Sequence, residues 1–245
     1  MDNKIIAMIP ARTGSKRLKL KNLALINGKP LIYYAIQAAK QTELFYKIVV
    51  NSEGQIFSEI ASRYGAEFYK RPLELGSSYT KSDDVVADFM NANSDADIMV
   101  WVNTIAPFLE SKEIIDIINY FLDNQLDSLI TVENKQVHCM WSGKPVNYNS
   151  DEQLALTQKL EPVQPFVYSI MMWRTTCFLE EYNKNGHAFF CGKFDVYPVS
   201  KMSSIIIKTE DDLKMADMIM YLKENKYNDY KVKYDPLVSN EKILK

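Results

Sequence analysis

The sequence predicts an α/β fold of the doubly wound, Rossmann-like kind, a mostly parallel sheet with helices on both faces. Three observations carry this. Short unbroken apolar runs recur at residues 5–9, 48–50 and 98–102, as strands buried on both faces require. Between them lie amphipathic segments with apolar residues three and four apart. The chain of 245 residues, 47% hydrophobic and 24% charged, is long enough to bury one large core without disulfides or structural metals.

The elements follow in order. Residues 5–9 form the first strand, and a glycine-containing polar loop comes after it. Pro30 takes the first position of a helix that buries Leu31, Ile32, Ala35, Ile36 and Ala39. Residues 48–50 are the next strand core, Ile56, Ile60 and Ala61 mark a helix, and residues 66–69 a short strand. Val85, Val86, Phe89 and Met90 mark another helix, residues 98–102 the most central strand, and Ile114, Ile115, Ile118 and Phe121 the stripe of the helix after it. Residues 128–132 return as a strand. This βαβα rhythm predicts a parallel sheet whose ligands bind at the carboxyl ends of its strands.

The rhythm breaks over residues 133–161, a polar segment with Gly143, Pro145, Asn147 and Asn149 that reads as a hairpin-like excursion or an arm. Residues 166–173 resume as a strand, 175–182 as a short helix and 196–199 as a short strand. Thr209, followed by Glu210, Asp211 and Asp212, is the N-cap of a last helix with an acidic first turn. Leu213, Ala216, Ile219 and Met220 give that helix its buried stripe. The whole chain, 1–245, reads as one domain with an inserted arm.

Charge and cysteine usage exclude several classes. A net charge of -2 gives no whole-surface attraction to nucleic acid or to anionic membrane. Cys139, Cys177 and Cys191 have no metal-ligand spacing and read as incidental thiols of a reducing compartment. The apolar run at the N-terminus is too short for a secretory signal, and no stretch has membrane-spanning length. The expectation is a soluble, cytoplasmic protein. His138 and His187 are its two histidines, and both read as structural or exposed.

The chemistry concentrates in the first loop, Pro10-Ala11-Arg12-Thr13-Gly14-Ser15-Lys16-Arg17-Leu18-Lys19-Leu20-Lys21-Asn22, with five cations in ten residues directly after the first strand. Gly14 allows a tight turn and close backbone approach. Backbone N–H groups and the Ser15 hydroxyl can donate to phosphate oxygens while Arg12 and Lys21 neutralise charge. The spacing fits neither the P-loop nor the dinucleotide fingerprint.

The PARxGSK motif, the Lys21-Asn22 pair and Asn27-Gly28-Lys29-Pro30-Leu31-Ile32 resemble the opening of the acylneuraminate cytidylyltransferases and their relatives for legionaminic, pseudaminic and 3-deoxy-octulosonic acids. Tyr69-Lys70-Arg71-Pro72-Leu73-Glu74-Leu75, followed by Thr80-Lys81-Ser82, is similar to the family segment that closes around cytosine. The resemblance implies the nucleotide-diphospho-sugar transferase type of fold and coupling of CTP to an acid sugar with release of pyrophosphate. Within the loop that holds Ala11 and Gly14, it implies that Arg12, Ser15, Lys16 and Lys21 grip the triphosphate, Arg12 and Lys21 catalytically. Asn22 would meet ribose or phosphate, and Arg71 with Thr80 to Ser82 would read the pyrimidine. Magnesium would arrive with CTP. The arm would cross to the partner's active site in a homodimer, anchored by Trp141 and Tyr148.

Two stretches depart from the family pattern. Where its relatives carry Asp-Ile-Asp to hold magnesium, this chain has Ile206-Ile207-Lys208. An isoleucine cannot ligate a hard cation and a lysine repels one, so Lys208 is a candidate to place its ammonium against phosphate instead. Asn103-Thr104-Ile105-Ala106-Pro107-Phe108 replaces Gln-Pro-Thr-Ser-Pro-Leu, with Asn103 still able to hydrogen-bond a base or sugar hydroxyl. These departures keep two alternatives open: a transferase for another nucleotide or sugar, and a catalytically impaired nucleotide-binding homologue.

Overall fold

The computed structural model describes residues 3–225 and Tyr234. Its main sheet has seven strands: β1 (Ile5–Pro10), β4 (Lys47–Ser52), β5 (Glu67–Lys70), β6 (Ile98–Val102), β7 (Ser128–Val132), β10 (Phe166–Arg174) and β11 (Phe194–Pro198). They lie in the order β11-β7-β10-β6-β1-β4-β5. β1 pairs in parallel with β4 and β6, and β5 and β11 are also parallel to their neighbours. β10 runs antiparallel between β6 and β7. The expected sheet is therefore mostly parallel, with one reversed strand that the apolar pattern does not disclose.

Alternate residues of β1 show why its run is unbroken. Ile5, Ala7 and Ile9 join one core with α1 (Leu31–Lys40), α2 (Ile56–Tyr64) and α4 (Ser111–Asp123). Ile6 and Met8 join the opposite core with α3 (Ser82–Ala92) and α5 (Thr175–Asn185). A strand covered on both faces has no polar side to show.

Several boundaries move by a residue. In α2 the buried stripe is Phe57, Ile60 and Ala61, and the expected Ile56 is exposed. In α4 it is Ile114, Ile117, Ile118 and Phe121, with Ile115 only half-buried. Pro30 caps α1 rather than opening it, because it closes a small hairpin of β2 (Leu25–Ile26) and β3 (Lys29–Pro30). Asn27 and Gly28, both at positive φ (45° and 72°), make its two-residue turn. α5 runs past the expected end to Asn185 and stops at left-handed Gly186.

The last helix, α6 (Glu210–Glu224), starts as expected. The Thr209 side chain accepts from Asp212 N–H and the Asp212 carboxylate accepts from Thr209 N–H. Ala216 and Met220 are buried against Ile26, Leu31, Phe108 and Ile207, with Leu213 and Ile219 partly covered. Residues 133–161 carry a two-strand hairpin, β8 (Met140–Trp141) and β9 (Lys144–Pro145), turning at Ser142 and Gly143. Asn147 braces it: its Oδ1 accepts from Cys139 N–H and its Nδ2 donates to the carbonyls of Val137 and Glu161. Among the described residues no helix is long and apolar enough to cross a membrane.

Candidate functional site

β1 sits between β6 and β4, and the loops leaving the carboxyl ends of these strands diverge there. The crevice so opened is where parallel sheets bind ligands. It holds a cavity of about 350 Å³. Ala11, Arg12, Lys21 and Asn22 line it from the first loop, Arg71, Thr80 and Ser82 from the segment after β5, and Asn103 from the loop after β6. These eight expected positions come together in one place. Gly14, Ser15, Lys16 and Lys208 lie outside the lining.

The lining carries three cations and no carboxylate. Such a surface suits a polyanion. Burial pushes the Lys21 ammonium down to about 8, and Arg17, Arg12 and Lys208 push the same way against Asp212. Lys21 donates to the Ile207 carbonyl at 3.2 Å, which fastens the loop to the segment before α6. Ile207 N–H in turn donates to the Ile105 carbonyl at 2.8 Å. So the charge of Lys208, although outside the cavity, bears on Lys21.

Other expected residues have part of their bonding capacity committed. Both hydrogen bonds of the buried Asn22 Nδ2 are internal, to the Pro10 carbonyl and the Thr104 hydroxyl, each at 3.2 Å. They hold the loop's two ends together and leave its carbonyl oxygen for other use. Thr80 donates its hydroxyl to the Glu74 carbonyl at 2.8 Å, so towards a ligand it is an acceptor. Asn103 accepts weakly from Ile105 N–H. Around Gly14 the chain makes a three-residue turn, Ser15 N–H to the Thr13 carbonyl at 3.1 Å, without a positive φ. Lys16 leans over the Tyr79 ring, 4.9 Å from its centre.

Arg71 departs most from its expected part. Its Nη2 donates to the Ala11 carbonyl (2.9 Å) and to Glu53 Oε2 (2.7 Å), and Nη1 to the Asn51 carbonyl (3.4 Å). Nε is buried without a partner. The guanidinium is thus first a clasp between strand ends. Glu53, which sequence reading missed, is the other half of that clasp. A lone glutamate after a strand carries no pattern that marks it.

A second, aromatic cavity of about 600 Å³ adjoins the first and shares Thr80, Ser82, Trp101, Asn103 and Ile105 with it. Tyr168, Met171, Phe189 and Phe190 form its far wall. Asp83 Oδ1 accepts from the N–H groups of Ala188 and Phe189 and so ties that wall to the start of α3. Neither histidine lines either cavity. Among the described residues no group of three or more His, Cys, Asp or Glu could hold a metal ion. The cation-lined cavity itself offers no carboxylate to a magnesium ion.

A family model described as cytidylyltransferase matches residues 6–227. An N-acylneuraminate cytidylyltransferase of Escherichia coli O18:K1:H7 is 36% identical over 121 residues, 49% of this chain and 29% of that protein. An N-acylneuraminate cytidylyltransferase of Streptococcus agalactiae serotype V is 27% identical over 258 residues, covering 97% of this chain and 60% of that one. The chain therefore spans less than two thirds of the length of both relatives. A solved CMP:2-keto-3-deoxy-manno-octonic acid synthetase complexed with CTP superposes with a TM-score of 0.70 at 16% identity, over 90% of this chain and 99% of that one. At that identity the likeness is one of fold.

Proposed function

The chain belongs to the cytidylyltransferase family, and on that premise we propose that it couples CTP to an acid sugar of the sialic or nonulosonic class. The anomeric hydroxyl oxygen attacks the α-phosphorus and its proton passes to solvent, the bond to the β-phosphate breaks, and pyrophosphate leaves with the electron pair. Such a transfer needs positioning and charge neutralisation more than a protein nucleophile. The observation that carries the reading is the pair of cavities sharing one wall: a cation-lined one of a kind that suits a triphosphate, and an aromatic one beside it.

In this reading Arg12 and Lys21 hold the phosphates, with Ser15 and Lys16 at the outer end of the loop. Thr80, Ser82 and Asn103 face the boundary between the two substrates, and Arg71 backs the base. The cation-lined cavity offers no carboxylate for magnesium, so an ion would come and leave on the nucleotide, and no step is assigned to it. The arm at residues 133–161, with Trp141 and Met140 78% and 58% exposed, would be covered by a second copy in a homodimer.

The test is direct. CTP should raise the thermal midpoint more than ATP or GTP at equal concentration, because only ligand bound to the native state stabilises it. Pyrophosphate release should then appear with an acid sugar from a panel of 3-deoxy and acylamino acids. Equal shifts with all three nucleotides would remove the case for cytosine.

A further inference from the structure

We propose that Glu53 is a positioning residue that makes the phosphate loop and Arg71 one unit, so that either end of the nucleotide preorganises the site for the other. This deepens the cytidylyltransferase reading and rests on it. Glu53 directly follows β4, and its side chain is 5% exposed. Its Oε1 accepts from Thr13 N–H at 2.8 Å and from the Thr13 hydroxyl at 3.0 Å. Its Oε2 accepts from Arg71 at 2.7 Å. One carboxylate thus bonds the middle of the loop with one oxygen and the clasp with the other.

The surroundings are shaped for this bridge. A Cβ on Gly76 would fall 2.5 Å from Glu53 Cδ, and one on Gly54 2.6 Å from Thr13 Cγ2. Both glycines let backbone close on the carboxylate and its partner. Burial pushes the Glu53 carboxyl up, but the Thr13 N–H, its own N–H and Arg71 outweigh it and hold it below the usual range. It is therefore an anion at neutral pH, and its hydrogen bonds are the strong, charge-assisted kind.

A role confined to joining strands does not account for the geometry. β4 and β5 are already paired from Val49 to Ser52, and Arg71 N–H donates to the Ser52 carbonyl. What Glu53 adds is the tie to Thr13. Among the described residues, loop positions 12–19 have only that tie and a 3.5 Å contact from Arg12 to the Ser77 carbonyl as hydrogen bonds to the rest of the protein. Coupling between two binding surfaces needs such a shared element, and it acts in both directions.

The experiment titrates wild type, Glu53→Gln and Thr13→Val with CTP, cytidine and inorganic tripolyphosphate by calorimetry. Thr13→Val removes one exposed hydroxyl contact and keeps the fold testable where Glu53→Gln does not fold. CTP affinity should fall about tenfold in Thr13→Val and about 10²-fold in Glu53→Gln. The telling readout is cytidine, which touches no phosphate: its affinity should fall about fivefold in Thr13→Val, alongside that of tripolyphosphate. Weakening of tripolyphosphate alone, or of neither probe, overturns the coupling. Wild type that binds CTP no better than ATP sinks the functional reading by itself. The coupling is then judged with tripolyphosphate and the nucleoside of whichever nucleotide binds best.

Discussion

The ammonium of Lys21 lies 3.2 Å from the carbonyl oxygen of Ile207, and the charges of Arg17, Arg12 and Lys208 bear on it. Burial and those neighbours bring it down to about 8, so in the free protein it loses its proton as pH rises through that value. Bound phosphate favours the charged form. Nucleotide affinity should therefore fall as pH rises from 7 to 9, approaching tenfold per unit, with a proton taken up on binding above about pH 8. For the empty protein the sign is opposite: the cost of burying the ammonium is full below about pH 8 and is relieved between there and 10.5, so this group's contribution to stability rises with pH. Lys21→Arg, which stays charged, should flatten the affinity profile. Calorimetry in buffers of different ionisation heat checks both; parallel profiles for wild type and Lys21→Arg would sink the assignment.

Arg12 reaches across the crevice from the first loop toward the Ser77 carbonyl by one long contact of 3.5 Å. So little protein structure depends on it that Arg12→Ala should leave the thermal midpoint within a degree or two. Turnover should fall about 10²-fold or more if its charge stabilises the transition state. Wild-type rates in the variant would return Arg12 to the surface charges.

The arm exposes Val137, Met140, Trp141, Val146, Leu154 and Leu156, and Asn147 braces its hairpin. Apolar area of this kind marks an interaction surface more than a free one. Sedimentation at high micromolar concentration should give a dimer mass for wild type and a monomer for Trp141→Glu. A monomeric wild type would leave the arm without a partner.

The parts that were legible in the sequence are those where one physical demand fixes the residue pattern. β1 reads directly, because a strand covered on both faces must be apolar throughout. The cation loop reads from charge density after that strand, and Thr209 with Asp212 from capping chemistry. The reversed strand β10 did not, since an apolar run is the same in either direction. Asn27-Gly28 carried a hairpin signal that reading it as part of a longer motif obscured. Glu53 was illegible because its role comes from Thr13 and Arg71, 40 and 18 residues away.

Lys208 is the residue that tests whether protein cations neutralise the phosphates. It stands beside α6 with its backbone N–H donating to Asp212, and its charge bears on Lys21. Ile206 packs against the sheet core, so neither position offers a metal ligand. If protein cations neutralise the phosphate charge, Lys208→Ala should weaken nucleotide binding by about tenfold to 10²-fold, through loss of a charge-assisted contact. It should do so equally with and without magnesium, because the lysine acts on phosphate and not through the ion. Ile206→Asp with Lys208→Asp should do the reverse, weakening metal-free binding and making affinity rise steeply with magnesium. Titrating nucleotide in magnesium and in chelator separates these outcomes without any need for the sugar. Unchanged affinity in Lys208→Ala under both conditions would make the lysine a bystander, and would favour a homologue that binds nucleotide without turning it over.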